Sequence, residues 1–105
     1  MIILNTESKL KLEIIYNVIS CIIYDYRVTL NLSARYRIEF SCDKNKAIVS
    51  AVFLDNDEEL LKCETLKDIS FYKMFYGFVT GIIIEYGLNE VVIEQDHKII
   101  ATIKI

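Results

Sequence analysis

The chain of 105 residues has little of what usually breaks or cross-links a fold: it contains no proline, no tryptophan, three glycines and three cysteines. Cys21, Cys42 and Cys63 are odd in number and form no CxxC pair, which argues against a secreted disulfide scaffold or a zinc ribbon. This cysteine usage indicates a reducing, cytoplasmic setting.

Long apolar runs and recognisable reaction motifs are also missing. The longest uncharged runs, 14–24 and 74–84, reach about half of the roughly 20 apolar residues that a membrane-spanning helix needs. No phosphate-binding loop, GxSxG or HExxH motif occurs. The first residues show no basic n-region or cleavage site, so we expect no signal peptide. We therefore expect no membrane span, no cofactor, no bound metal and no enzymatic activity.

Apolar residues are abundant: 53% of the chain is hydrophobic, 26% is charged, and the net charge is −3. This composition is typical of a globular domain. Two cores would each be poorly buried at this length, so we predict one domain over 1–105. The negative charge argues against nucleic-acid binding, because neutralising phosphates requires a basic surface.

Hydrophobic spacing predicts an amphipathic helix that begins at Thr6 or Ser8 and ends near Tyr24. From Tyr26 to Cys42 the period changes to two, with apolar residues at every even position. This alternation is typical of a sheet with one buried and one solvated face.

The alternating segment is too long for one strand of a small domain, so we predict a hairpin within it. A three-residue loop at Ser33–Arg35 would pair Leu32 with Tyr36 and keep the even residues on one face. A long bent strand is the alternative, because this loop has no glycine. A turn in which Asn45 can accept a positive φ then leads to a third strand, Ala47–Leu54, which looks central because it is apolar on both faces.

The second helix is predicted over Leu66–Tyr86, with Thr65 as its cap and Gly87 as its left-handed end. The isoleucines near its end make a strand over Phe78–Tyr86 the alternative. We favour the helix because both of its ends carry capping residues.

The chain closes with a predicted hairpin, Glu90–Glu94 and Lys98–Lys104, around a turn that contains His97. The predicted order is α-β-β-β-α-β-β, an α+β fold with one antiparallel sheet and two helices packed on one face. His97 has no further ligands close in sequence, so we interpret it as a solvated turn residue rather than a metal ligand.

Two other features carry candidate chemistry. Asp55–Glu59 clusters four carboxylates but lacks the glycine of a calcium loop, so we interpret it as a solvated helix start. Cys21 and Cys42 are expected to be buried. Cys63 is the candidate reactive thiol, and reactivity would require a neighbouring base and a lowered pKa.

Candidate binding surfaces lie on the first strands and on the second helix. Arg27, Arg35 and Arg37 share the polar face of the strands and could hold carboxylates or phosphates of a partner; an ordinary solvated face is the alternative. The helix is apolar on two faces, so the sheet would cover one while helix 1, a partner chain or a ligand covers the other. Glycines inside a helix cost about 1 kcal/mol each relative to alanine, so we expect close packing against them. The predicted interface or ligand-facing residues are Phe71, Phe75, Gly77, Phe78 and Gly81.

The stretch 75–93, FYGFVTGIIIEYGLNEVVI, resembles the GFxxG helix and following strand of the 4-vinyl-reductase-type domain, and is similar to the related TRAPP-type vesicle-trafficking subunits. The resemblance implies a dimerising module; some members bind small apolar ligands and others act as assembly subunits. The cysteines that follow the strand in that family are missing: His97 stands where the first would lie. The matching residues are Gly77, Phe78, Gly81, Gly87, Val91 and Glu94.

These features predict a non-enzymatic, cytoplasmic homodimer that binds another protein. The predicted element order is also similar to the core of type III secretion chaperones, which are small acidic dimers. The alternative is a sensor of a small apolar ligand, with its pocket between the second helix and the sheet. An enzyme using Cys63 or Asp55–Glu59 would require a concave site that joins residues distant in sequence.

Overall fold

The computed structural model describes residues 5–24 and 27–105. Tyr26, where the alternating segment was predicted to begin, lies outside the described residues. The α+β prediction is confirmed, with one strand more than predicted. The elements are α1 (Thr6–Ile22), β1 (Val28–Asn31), β2 (Tyr36–Asp43), β3 (Ile48–Asp55), β4 (Glu58–Leu66), α2 (Ile69–Tyr86), β5 (Glu90–Gln95) and β6 (Lys98–Lys104).

The first helix forms where the hydrophobic spacing predicts it. Its N-terminal cap is Asn5, whose side-chain Oδ1 accepts a hydrogen bond from the Ser8 backbone N–H at 2.8 Å. An asparagine oxygen there satisfies a backbone donor that has no partner within the helix. The buried side of α1 carries Leu12, Ile15 and Ile19.

The β1–β2 hairpin has the predicted register. Leu30 lies opposite Ile38, and the Leu32 N–H donates to the Tyr36 carbonyl at 2.9 Å. The loop does without glycine because the Ser33 hydroxyl accepts hydrogen bonds from the backbone N–H groups of the loop's last residue and of Tyr36. The long bent strand is therefore wrong.

The turn between β2 and β3 differs from the prediction in one detail. The positive φ falls on Ala47 (51°) and not on Asn45. The Asp43 side chain accepts hydrogen bonds from the N–H groups of Asn45 and Lys46, at 3.0 and 3.3 Å. This side-chain turn fixes the start of the loop and places the left-handed residue at its end.

The acidic run does not begin a helix, and that prediction is wrong. Asn56 and Asp57 have φ of 48° and 70°, which makes a two-residue hairpin turn with both residues left-handed. The turn leads into β4, a strand that the sequence analysis missed. Thr65, predicted as a helix cap, lies inside that strand.

The second helix begins after Asp68, whose side chain accepts a hydrogen bond from the Ser70 N–H at 2.7 Å. It ends as predicted: Gly87 is left-handed with φ of 63°, and the Leu88 N–H donates to the Ile83 carbonyl at 3.0 Å. These bonds satisfy carbonyls at the helix end. The strand alternative for the second half of this helix is wrong.

The six strands form one antiparallel sheet in the order β4-β3-β2-β1-β5-β6. The third strand lies inside the sheet, as its apolar faces predict. The fourth and sixth strands are its edges. Since β5 pairs with β1, the chain crosses from one edge to the middle through α2.

Both helices pack on the face of the sheet that carries the even residues of β1 and β2. Phe71 and Phe75 are 1% exposed and lie against Phe40 with ring centroids 6.3 and 5.8 Å apart. On its other apolar face, α2 meets α1: Tyr16 contacts Tyr72 edge-to-face at 5.0 Å. Thus the sheet covers one apolar face of α2, and helix α1 covers the other.

Neither helix in the described part of the chain is long and apolar enough to cross a bilayer.

Candidate functional site

The structure separates the five α2 residues that the sequence placed on one interface. Phe71 and Phe75 lie in the core, and Phe78 is partly buried against it. Gly77 and Gly81 are exposed, and a Cβ added at either would meet nothing within 4 Å. The predicted close packing against these glycines is therefore not made by the described part of this chain.

The two glycines point away from α1. Gly81 follows Tyr72 by nine residues, which at about 100° per residue places it on the opposite side of the helix, and Gly77 lies near the same side. Tyr72 contacts Tyr16 of α1. The glycine side of α2 is thus the side that faces away from its neighbouring helix.

Two of the three arginines on the polar strand face are paired within the chain. Arg35 makes two hydrogen bonds to the Asp55 carboxylate, at 2.5 and 2.8 Å, and these bonds lower the pKa of Asp55. Arg37 lies 3.1 Å from a carboxylate oxygen of Glu39 and 2.6 Å from one of Asp57. Acidic groups of this chain therefore occupy the positions that a partner's carboxylates were predicted to take.

Arg27, the third arginine, is exposed. It lines an open cleft between the end of α1 and the turn after β2, beside Tyr24, Ser41 and Lys44. The cleft does not include the other two arginines, so the predicted strip is not one continuous basic surface.

The cysteines are not arranged for nucleophilic chemistry. Cys21 is exposed, so its predicted burial is wrong: it continues the outward side of α1, which also carries exposed Leu10 and Ile14. Cys42 and Cys63 are half-buried, and burial raises the pKa of both thiols. A reactive cysteine requires the opposite shift, because the thiolate is the nucleophile.

The acidic and histidine candidates are solvated, apart from Asp55, whose side chain is only 16% exposed beside Arg35. Among residues 5–24 and 27–105, no group of three or more His, Cys, Asp or Glu side chains is close enough to hold a metal ion. Asp96 and His97 form the left-handed turn between β5 and β6, with φ of 53° and 63°. Both residues are exposed, as the solvated-turn interpretation of His97 expects.

Among the described residues, exposed large apolar side chains are most numerous in a stretch that the sequence does not single out. Four of them lie within the ten positions 60–69, along β4 and at the start of α2. The strand β4 is an edge of the sheet, so it pairs with a neighbouring strand on one side only. We call this stretch the β4 edge surface; its exposed fractions are 41% for Leu60, 50% for Leu61, 55% for Leu66 and 71% for Ile69.

The backbone of β4 offers hydrogen bonds in a fixed pattern. The Lys67 N–H donates to the Ala47 carbonyl at 2.7 Å. Hydrogen-bonded pairs alternate along an antiparallel ladder, so the odd residues of β4, including Cys63, bond to β3. The even residues, Lys62 and Glu64, therefore turn their N–H and C=O groups outward from the sheet.

The side chains along β4 carry charges of both signs. The Lys62 ammonium lies 3.7 Å from a carboxylate oxygen of Glu64, and both side chains are about half exposed. Ser50 of β3 donates to the same carboxylate at 3.5 Å. An exposed ion pair of this kind adds little to stability and is easily exchanged for another partner.

Comparison of the chain with protein-family models, with curated proteins and with solved structures found no match in any of the three. The resemblance of residues 75–94 to the 4-vinyl-reductase-type domain stays a prediction.

Proposed function

We propose that this chain is a non-enzymatic protein-interaction module that acts as a homodimer and binds another protein. The observation that carries the proposal is the β4 edge surface, where exposed leucine side chains adjoin an open strand. Open strand edges pair readily with other chains, and exposed Leu61 and Leu66 flank this edge on the two faces of the sheet.

Catalysis has less support. The thiol of Cys63 has a raised pKa, which holds it in the unreactive protonated form at neutral pH. The carboxylates of the acidic run are divided between a hairpin turn and ion pairs with Arg35 and Arg37. These positions do not converge on a common reacting atom.

The small-ligand alternative also lacks support from the packing of α2. A ligand between this helix and the sheet would need open space there, and the rings of Phe71 and Phe75 fill that layer together with Phe40 and Tyr16. Val79 in the next turn is fully buried. The packing of α2 therefore favours the interaction module over a ligand-binding sensor.

The mass of the protein in solution tests the proposal. Sedimentation over a dilution series from high micromolar to nanomolar should show twice the 12.2 kDa of one chain, with dissociation on dilution. Leu66→Ser should shift the equilibrium toward monomer. Leu10→Ser is the matched control, because Leu10 on α1 is equally exposed (56% against 55%).

Partner binding is tested with the same two variants. A protein that binds the dimeric form should be retained by the wild-type chain and by Leu10→Ser, and lost with Leu66→Ser, because Leu66→Ser shifts the chain toward monomer. A protein that is monomeric at every concentration and shows no partner that distinguishes the two variants would refute the proposed function.

A further inference from the structure

We infer that the homodimer forms by antiparallel pairing of β4 with β4 of a second copy, in the register that places Cys63 opposite Cys63 on the two-fold axis. The inference rests on the proposed homodimer and adds its interface and its register. Such an interface uses the same surface on both copies and closes the assembly at two.

The choice of β4 over the other edge follows from charge. The strand β6 carries lysines at both ends, Lys98 and Lys104, and self-pairing about its middle would place these like charges opposite each other. Lysines on an edge strand are a known protection against such pairing. By contrast, β4 carries Lys62 and Glu64 two residues apart, so self-pairing can join opposite charges.

Hydrogen bonding limits the possible registers. From Leu61 to Leu66, beyond the register shift opposite Phe53 and Leu54, only the even residues of β4 direct their N–H and C=O groups outward, so an even residue must lie opposite an even residue of the second copy. The two-fold axis must then lie midway between the same residue of the two copies. Paired residues in that case share one face of the sheet, and the helices of both copies lie on the same side.

Among registers with the axis near the middle of the strand, at Lys62, Cys63 or Glu64, charge selects one. An axis at Lys62 would place two ammonium groups opposite each other, and an axis at Glu64 would do the same with two carboxylates. With the axis at Cys63, Lys62 of each copy faces Glu64 of the other, and Leu61 faces Thr65. Opposite charges across a strand pair are favourable and like charges are unfavourable.

In this register the two copies of Cys63 are close enough for a disulfide to test the interface. Since the Cys63 backbone groups bond to β3, the Cys63 pair across the axis is a non-hydrogen-bonded pair, for which the Cα atoms lie about 4.5 Å apart. That spacing is within the range that a disulfide can bridge, about 4.4–6.8 Å.

Disulfide cross-linking tests the register. We would use a chain in which Cys21→Ser and Cys42→Ser leave only Cys63, and oxidise it with a copper catalyst at alkaline pH. Two thiolates then give one disulfide and pass two electrons to the copper oxidant. The expected result is a covalent dimer on a non-reducing gel. A chain that keeps only Cys21, which is more exposed, is the matched control and should stay monomeric.

Charge reversal tests the pairing without cysteine chemistry. Lys62→Glu places like charges opposite at both symmetric positions and should weaken the dimer about tenfold or more. Adding Glu64→Lys restores opposite charges and should recover most of the affinity. The control is Lys98→Glu on the other edge strand, which should leave the dimer unchanged. Circular dichroism would show that each variant is folded.

The outcomes separate the inference from the proposed function. If the wild type is a dimer but Cys63 does not cross-link and Lys62→Glu has no effect, the register is wrong and the homodimer stands. If the wild type is a monomer at every concentration, both fail. Cross-linking of Cys63 together with recovery by the charge swap would support both.

Discussion

The unfolding free energy of the protein should increase when the exposed glycines of α2 are replaced by alanine. Gly77 and Gly81 lie inside an 18-residue helix, where each costs about 0.8–1 kcal/mol relative to alanine because glycine has the larger backbone entropy to lose. A Cβ at either position meets nothing within 4 Å. No steric cost within the described chain offsets the gain.

The double variant Gly77→Ala, Gly81→Ala should therefore gain about 1.5–2 kcal/mol of unfolding free energy in the monomer. For a domain of this size each kcal/mol corresponds to a rise in Tm of roughly 4–8 °C. Urea and thermal unfolding, followed by circular dichroism below the concentration at which the protein dimerises, would measure both quantities.

Gly87→Ala is the matched control, since it makes the same chemical change in the same helix. Gly87 ends α2 with φ of 63°, a conformation that costs a residue with a Cβ about 1 kcal/mol or more. Its replacement should lower stability while the other two raise it. If Gly77→Ala, Gly81→Ala instead destabilises the monomer, something packs against these glycines and the solvent-facing assignment is wrong.

Three further predictions concern the core, the thiols and the ion pairs. Phe75→Ala should cost about 3–5 kcal/mol of unfolding free energy in urea, because a buried ring leaves a cavity; a loss below about 1 kcal/mol would contradict the packing of α2. Cys63 should be alkylated by iodoacetamide more slowly than Cys21 at neutral pH, because burial raises the pKa of Cys63; equal rates would contradict this. The pKa of Asp55 is lowered by Arg35, so its stabilising effect is present above its unfolded pKa and is lost as pH falls through its folded pKa; Arg35→Met should reduce this acid-side loss of stability.

The sequence predicts the first hairpin well because the alternation of apolar and polar residues is compatible with few loop lengths. Every even residue from Val28 to Phe40 is apolar, so only a loop with an odd number of residues keeps them on one face. The residues at positions 33–35 argue against such a loop, because none of them is the glycine that a left-handed position favours. The Ser33 hydroxyl supplies local hydrogen bonds in its place, and a serine between apolar residues does not by itself predict that role.

The fourth strand was missed for a physical reason. Sequence patterns detect a strand by the contrast between a buried face and a solvated one, and β4 has almost no buried face because it lies at the edge. Its side chains are therefore mixed, with charged residues beside leucines. The one local signal was Asn56-Asp57, a pair suited to left-handed turns. The capping pattern that follows this pair favours a helix start instead.

The sequence places the candidate interface on α2, whereas the structure favours β4, and the reason is related. The sequence shows that α2 has two apolar faces, each of which must pack against another element. It does not show which element packs against the second face. The structure supplies it within the chain, through Tyr16 of α1. The aromatic residues then do not require a second copy. The largest group of exposed apolar side chains among the described residues lies along Leu60 to Ile69, and smaller groups lie on α1 (Leu10, Ile14) and on β6 (Ile99, Ile100). The proposed self-association therefore rests on the hydrogen bonds and charges of the edge strand β4 and not on a face of α2.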